Sequence, residues 1–90
     1  MSGIAENDYS WSIKLYPNPA SDELFIGINL ENEELNIQII DVTGKVVTNE
    51  YLRTKEFIGR LNLSLKDGIY FVNLTNKNKE TIVKKLVISK

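Results

Sequence analysis

The groups in this sequence best equipped for chemistry are its twelve carboxylates, since it contains neither histidine nor cysteine. Two carboxylates facing each other across a cleft are enough to hydrolyse a glycosidic bond. Here the acids are scattered over turns and ends. A domain of 90 residues also leaves little room for a substrate cleft, so the acids read as solubilising surface. Asp41-Val42-Thr43-Gly44 has the acid and glycine of a calcium loop but lacks the further oxygen ligands at regular positions that such a loop needs. A tight turn is the better reading. Without His or Cys, Ser-His-Asp and Cys-His catalysis within this chain, zinc sites of the common kinds and a disulfide framework are excluded. The expectation is no catalytic residue, no cofactor and no metal.

Recognition is the chemistry that remains. Tyr9, Trp11, Tyr16 and Tyr51 would make a carbohydrate-stacking platform if they lay side by side. Nothing in their spacing puts them there, and packing in the core or at a sheet edge is expected instead. Asn62-Leu63-Ser64 and Asn73-Leu74-Thr75 match the N-glycosylation pattern, yet both fall inside expected strands and read as coincidence. Charge is unevenly placed. Residues 1–34 hold seven acids against Lys14, residues 35–76 four acids against five bases, and residues 77–90 Glu80 against Lys77, Lys79, Lys84, Lys85 and Lys90, giving −6, +1 and +4. The whole chain, at −1, has no electrostatic pull toward nucleic acid. Its basic end reads either as a solvated face or as a patch offered to a receptor.

Strands must carry these groups, because apolar residues alternate and no helical period competes. Residues 1–12 are polar and read as a linker tail, with Trp11 and Ile13 opening the packed part and residues 13–90 forming one domain. Lys14-Leu15-Tyr16 is a short strand stopped by Pro17-Asn18-Pro19, where two prolines fix φ and remove two backbone donors. Leu24, Ile26, Ile28 and Leu30 mark one face of the next strand, and Leu35, Ile37 and Ile39 one face of another. Asp41 to Gly44 turns the chain into Lys45-Val46-Val47-Thr48, the returning arm of a hairpin. Leu61, Leu63 and Leu65 share a face. So do Tyr70, Val72 and Leu74, after a turn at Lys66-Asp67-Gly68. In the last strand, Glu80 to Ser89, Ile82, Leu86 and Ile88 compete with Val83 and Val87 for the core side. About seven short strands separated by turns predict an all-β, immunoglobulin-like antiparallel β-sandwich. Tyr70, just after Gly68 at a strand start, is placed like the structural tyrosine corner of such sandwiches.

No run of about 18 apolar residues is present, so no membrane-spanning helix is expected. The polar start also lacks the apolar core of a signal peptide. If the natural protein is exported, its signal is expected upstream and this chain is a piece of a longer protein.

Four segments, in order, resemble the type A C-terminal sorting domains of the type IX secretion system. Leu15-Tyr16-Pro17-Asn18-Pro19-Ala20-Ser21-Asp22-Glu23-Leu24 looks like the opening motif of that family. Ile37 to Val47, through Asp41 and Gly44, resembles its central hairpin. Leu65-Lys66-Asp67-Gly68-Ile69-Tyr70-Phe71-Val72 resembles the third motif, and Lys85-Leu86-Val87-Ile88-Ser89-Lys90 the terminal strand. The resemblance covers residues 13–90. It implies a folded tag at the end of a secreted protein of Bacteroidetes-type bacteria, reaching the periplasm by an ordinary signal peptide. Its partners would be the outer-membrane secretion machinery, a sortase-like peptidase that commonly removes the tag, and a covalently preceding cargo domain. Destinations would be the cell surface or the medium, and the cut would fall in or before residues 1–12. The motif positions taken as candidate recognition residues are Pro17, Asn18, Pro19, Asp41, Gly44, Gly68, Tyr70, Lys84, Lys85, Leu86, Val87, Ile88 and Lys90. The last strand with its lysines is the favoured element, acting through an exposed edge or through its charge. A carbohydrate-binding accessory domain and a structural spacer are the alternatives.

Overall fold

The computed structural model describes residues 11–90, so Tyr9 and most of the expected linker lie outside the described residues. Seven strands follow one another: β1 (Ile13–Tyr16), β2 (Glu23–Ile28), β3 (Glu34–Asp41), β4 (Val46–Arg53), β5 (Ile58–Asn62), β6 (Gly68–Thr75) and β7 (Thr81–Ile88). They form a three-stranded sheet, β1-β2-β5, facing a four-stranded sheet, β4-β3-β6-β7. Every strand ladder is antiparallel. The immunoglobulin-like sandwich expected from the apolar alternation is the fold observed.

Period-two patterning sets which side chains meet between the sheets. Leu24, Ile26 and Ile28 from β2 and Leu61 from β5 face Leu35, Ile37, Ile39, Val72 and Leu74 in one buried cluster. Trp11 joins this core at 3% exposure. In β7 the competition for the core side is won by Leu86 and Ile88, with Ile82 partly buried against the cluster, while Val83 is exposed on the opposite face. The β1-β2-β5 sheet has one strand fewer, and β4 is exposed over most of its length. Only Leu52 of β4 packs against the core. Gly59 lets β5 pass close over that residue: a Cβ there would lie 2.6 Å from Leu52 Cδ2. Among the described residues no helix is long and apolar enough to cross a membrane.

Candidate functional site

Pro17-Asn18-Pro19 lies against the free edge of β7. Asn18 donates from Nδ2 to the Lys85 carbonyl at 3.0 Å and accepts from the Val87 amide at 3.0 Å. Its side-chain amide thus takes the place of one residue of a neighbouring strand. Ala20 continues the pairing, donating to the Val87 carbonyl and accepting from the Ser89 amide, each at 2.8 Å. The prolines suit this position because each has no N–H of its own to satisfy. The edge that sequence reasoning offered for strand addition is therefore already bonded from Lys85 to Ser89. Asn18→Ala should cost about 1–2 kcal/mol, from two hydrogen bonds at a partly solvated edge. Faster hydrogen exchange at the Val87 amide would accompany it.

Asp41 organises the β3–β4 turn. Its Oδ1 accepts from the Thr43 amide at 2.9 Å, the Thr43 hydroxyl at 2.6 Å and the Lys45 amide at 3.0 Å. These donors, the Thr43 hydroxyl foremost, hold the Asp41 carboxyl below the ordinary aspartate range. Glu34 is likewise lowered, first by the Tyr51 hydroxyl at 2.6 Å and then by Arg53 at 2.6 Å. A carboxyl lowered in the fold takes up its proton in the unfolded chain first. The stability both groups contribute is complete above the unfolded carboxyl range and drains away as pH falls through their folded values. Asp41→Asn should flatten the acid limb of a stability-against-pH curve. An unchanged slope would mean that the turn does not hold the charge.

Gly44 sits at φ 90°, with nothing within 4 Å of where its Cβ would be. Crowding is thus absent and the demand for glycine is a backbone one. Gly44→Val should cost about 1–3 kcal/mol in denaturant melts, and Gly44→Asn distinctly less, since Asn enters the left-handed region more readily. Gly68 also sits at positive φ, 158°, where a side chain would be strained.

Tyr70 is buried, and its hydroxyl donates to the Lys66 carbonyl at 2.7 Å, which is the tyrosine-corner geometry expected. Asp67 in the same loop accepts from the Lys90 amide at 3.1 Å. The Lys90 side chain reaches Asp22 at 3.8 Å, a solvent-exposed pair of little energetic weight. Lys84 and Lys85 do not form one patch. Lys84 is half-buried on the core side of β7, beside Leu86 and Ile88, whereas Lys85 and Val87 point outward. An inward charge on an edge strand discourages pairing with another chain.

The four aromatics do not assemble. Trp11 is in the core. Tyr16 stacks on Phe25 in the three-stranded sheet, with ring centroids 5.6 Å apart. Tyr51 lies on β4 of the other sheet, tied to Glu34. Among the described residues, no group of three or more acids comes together in a way that could hold a metal ion. Both Asn-X-Ser/Thr sites begin within strands, β5 and β6.

Residues 14–89 match the family described as "Secretion system C-terminal sorting domain". The chain belongs to that family. It is a sorting domain of type IX secretion, the signal for export across an outer membrane. It is also 30% identical over 76 residues to an endo-acting ulvan lyase of Formosa agariphila, covering 84% of this chain and 14% of that protein. The chain therefore spans about one seventh of that relative's length.

The sorting-domain motifs converge structurally. The opening motif bonds the terminal strand through Asn18 and Ala20. The third motif bonds it through Asp67 and the β6–β7 ladder. The central hairpin pairs with the third motif, Ile39, Ile40 and Asp41 lying opposite Val72, Phe71 and Tyr70, and only its β3–β4 turn projects beyond the ladder. Sequence reasoning missed Ala20 and Asp67 as partners of the terminal strand. It also missed Thr54, which is buried and whose hydroxyl accepts from the Glu33 amide at 2.8 Å. The signal for Ala20 was present: it follows Pro19 immediately, and its own N–H is free to resume a ladder.

Proposed function

We infer that this chain is the export label of a longer protein. A cargo domain precedes it and crosses into the periplasm by its own signal peptide. The folded label then engages the outer-membrane secretion machinery, and a sortase-like peptidase separates it within or before residues 1–12. The exported cargo is released or held at the cell surface. The label performs no reaction of its own. The family match over residues 14–89 carries this reading. It is supported by motif residues spent on mutual bonding of the fold, Asn18 on Lys85 and Val87 and Tyr70 on Lys66.

Recognition uses surface, with Lys85 and Val87 presented from the outward side of β7. Pro17, Asn18, Pro19, Asp41, Gly44, Gly68, Tyr70, Leu86 and Ile88 act by holding that surface in place. The test is a reporter carrying a signal peptide at its start and this whole chain at its end, expressed in a host with the type IX machinery. The reporter should appear outside the cell, without the label. Retention in the periplasm would refute the export role, and export with the label still attached would refute the peptidase step alone.

A further inference from the structure

In an antiparallel sheet with one solvated face, outward positions are normally polar. The four-stranded sheet breaks this rule at one end. Val46, Ile40, Phe71 and Lys85 stand opposite one another in a single row across all four strands. Ile69 and Val87 form the adjacent row, and Val83 lies next to Lys85 along β7. Val46, Ile69, Phe71 and Val83 are each at least 40% exposed. Directly opposed side chains are about 5 Å apart, so Val46, Ile40, Phe71, Ile69 and Val87 make one apolar surface, with Lys85 at its β7 side and Val83, opposite Asn73, beyond the lysine. The other end of the same face is polar, with Asn36, Gln38, Asn73, Thr75 and Thr81.

Charge on this face decides what fits it. Among the described residues, Glu34 is the one carboxylate that these strands turn outward, and Arg53 and Tyr51 already engage it at the polar end. Lys85, in the apolar row, has no acid on the face to meet. A second copy docked face to face by a two-fold axis presents the same surface. It would confine Lys85 against apolar groups with no free carboxylate, which is costly. A lipid surface gains only about 1 kcal/mol from one lysine, and no tryptophan anchors this face. We propose that the Ile40, Ile69, Phe71, Val87 and Val83 face is the docking surface of the sorting domain, and that its occupant is a protein of the secretion machinery presenting an apolar patch with a carboxylate opposite Lys85. This rests on the export reading and names the surface that reading requires. It also accounts for the edge of β7 being bonded from Lys85 to Ser89: that stretch of the strand is read from its face, not along its edge.

The test uses the reporter fusion with the full chain. Phe71→Thr with Val87→Thr keeps β-forming residues at exposed or half-exposed positions, and thermal melts should stay close to wild type. Export should fall by about tenfold or more, as on removing an interfacial anchor. Lys85→Glu should reduce export comparably, while Gln38→Thr with Asn73→Thr on the polar end should leave it unchanged. Unaltered export by the folded double variant and by Lys85→Glu, with wild type exported, overturns the docking surface and leaves the export role standing. A wild-type fusion that is not exported overturns both. If the double variant does not fold, the exposed Lys85→Glu substitution decides alone. A purified domain that dimerises through Phe71 in sedimentation, or that binds vesicles of mixed neutral and anionic phospholipid through it, assigns the face to self-association or to lipid and overturns the proposal.

Discussion

Tyr70→Ala is expected to lower folding stability by about 3–5 kcal/mol, the range for deleting a large buried side chain. The ring is 8% exposed and belongs to the core cluster between the sheets, so its removal leaves a cavity that the two sheets can close only in part. Tyr70→Phe isolates the other contribution. It removes the hydroxyl that donates to the Lys66 carbonyl at 2.7 Å and should cost about 1 kcal/mol, the net value of one hydrogen bond. Packing is thus the larger effect, and the hydroxyl fixes the Lys66–Gly68 loop rather than the fold. Equilibrium denaturation of the three proteins separates the two. Equal losses for Ala and Phe would show that the loop contact, not the ring, carries the energy.

Deleting Lys85–Lys90 should do more than remove a receptor contact. Leu86 and Ile88 are at 0% and 2% exposure, and losing either side chain costs about 2–5 kcal/mol. The deletion also removes β7's partners for Gly68 to Phe71 and for Asn18 and Ala20. A small domain has about 5–15 kcal/mol of stability in total, so the shortened chain should lose its cooperative melt. Lost export after this deletion would report unfolding. A cooperative melt retained near the wild-type midpoint would show that β7 is an appendage to the core. Outward single substitutions, at Lys85 for example, are the ones that report on recognition.

Most of the sandwich was legible because its inner faces are apolar at alternate positions. Leu24, Ile26 and Ile28, and Tyr70, Val72 and Leu74, could be assigned to a core before any neighbour was known, and all six are buried. β4 was legible only at its start, and the structure carries it on to Arg53. It overhangs the smaller sheet, so its inward positions, Thr48 and Glu50, needed no apolar side chain. A register shift between Ile39 and Ile40 also breaks the two-residue period that would have marked it.

By itself, the order of residues determined the strand pattern, the turns at Asp41–Gly44 and Lys66–Gly68, the absence of any His- or Cys-based chemistry, and the family resemblance. All of these depend on local conformation or on residue identity. Only the tertiary structure decided which side of β7 faces solvent, that Lys84 and Lys85 point opposite ways, that Asn18 and Ala20 occupy the edge of that strand, and that Ile40, Phe71 and Val87 share one outer surface. Those facts depend on which strands become neighbours. Neighbours far apart in sequence are chosen by the packing of two whole sheets, a choice that no single segment encodes.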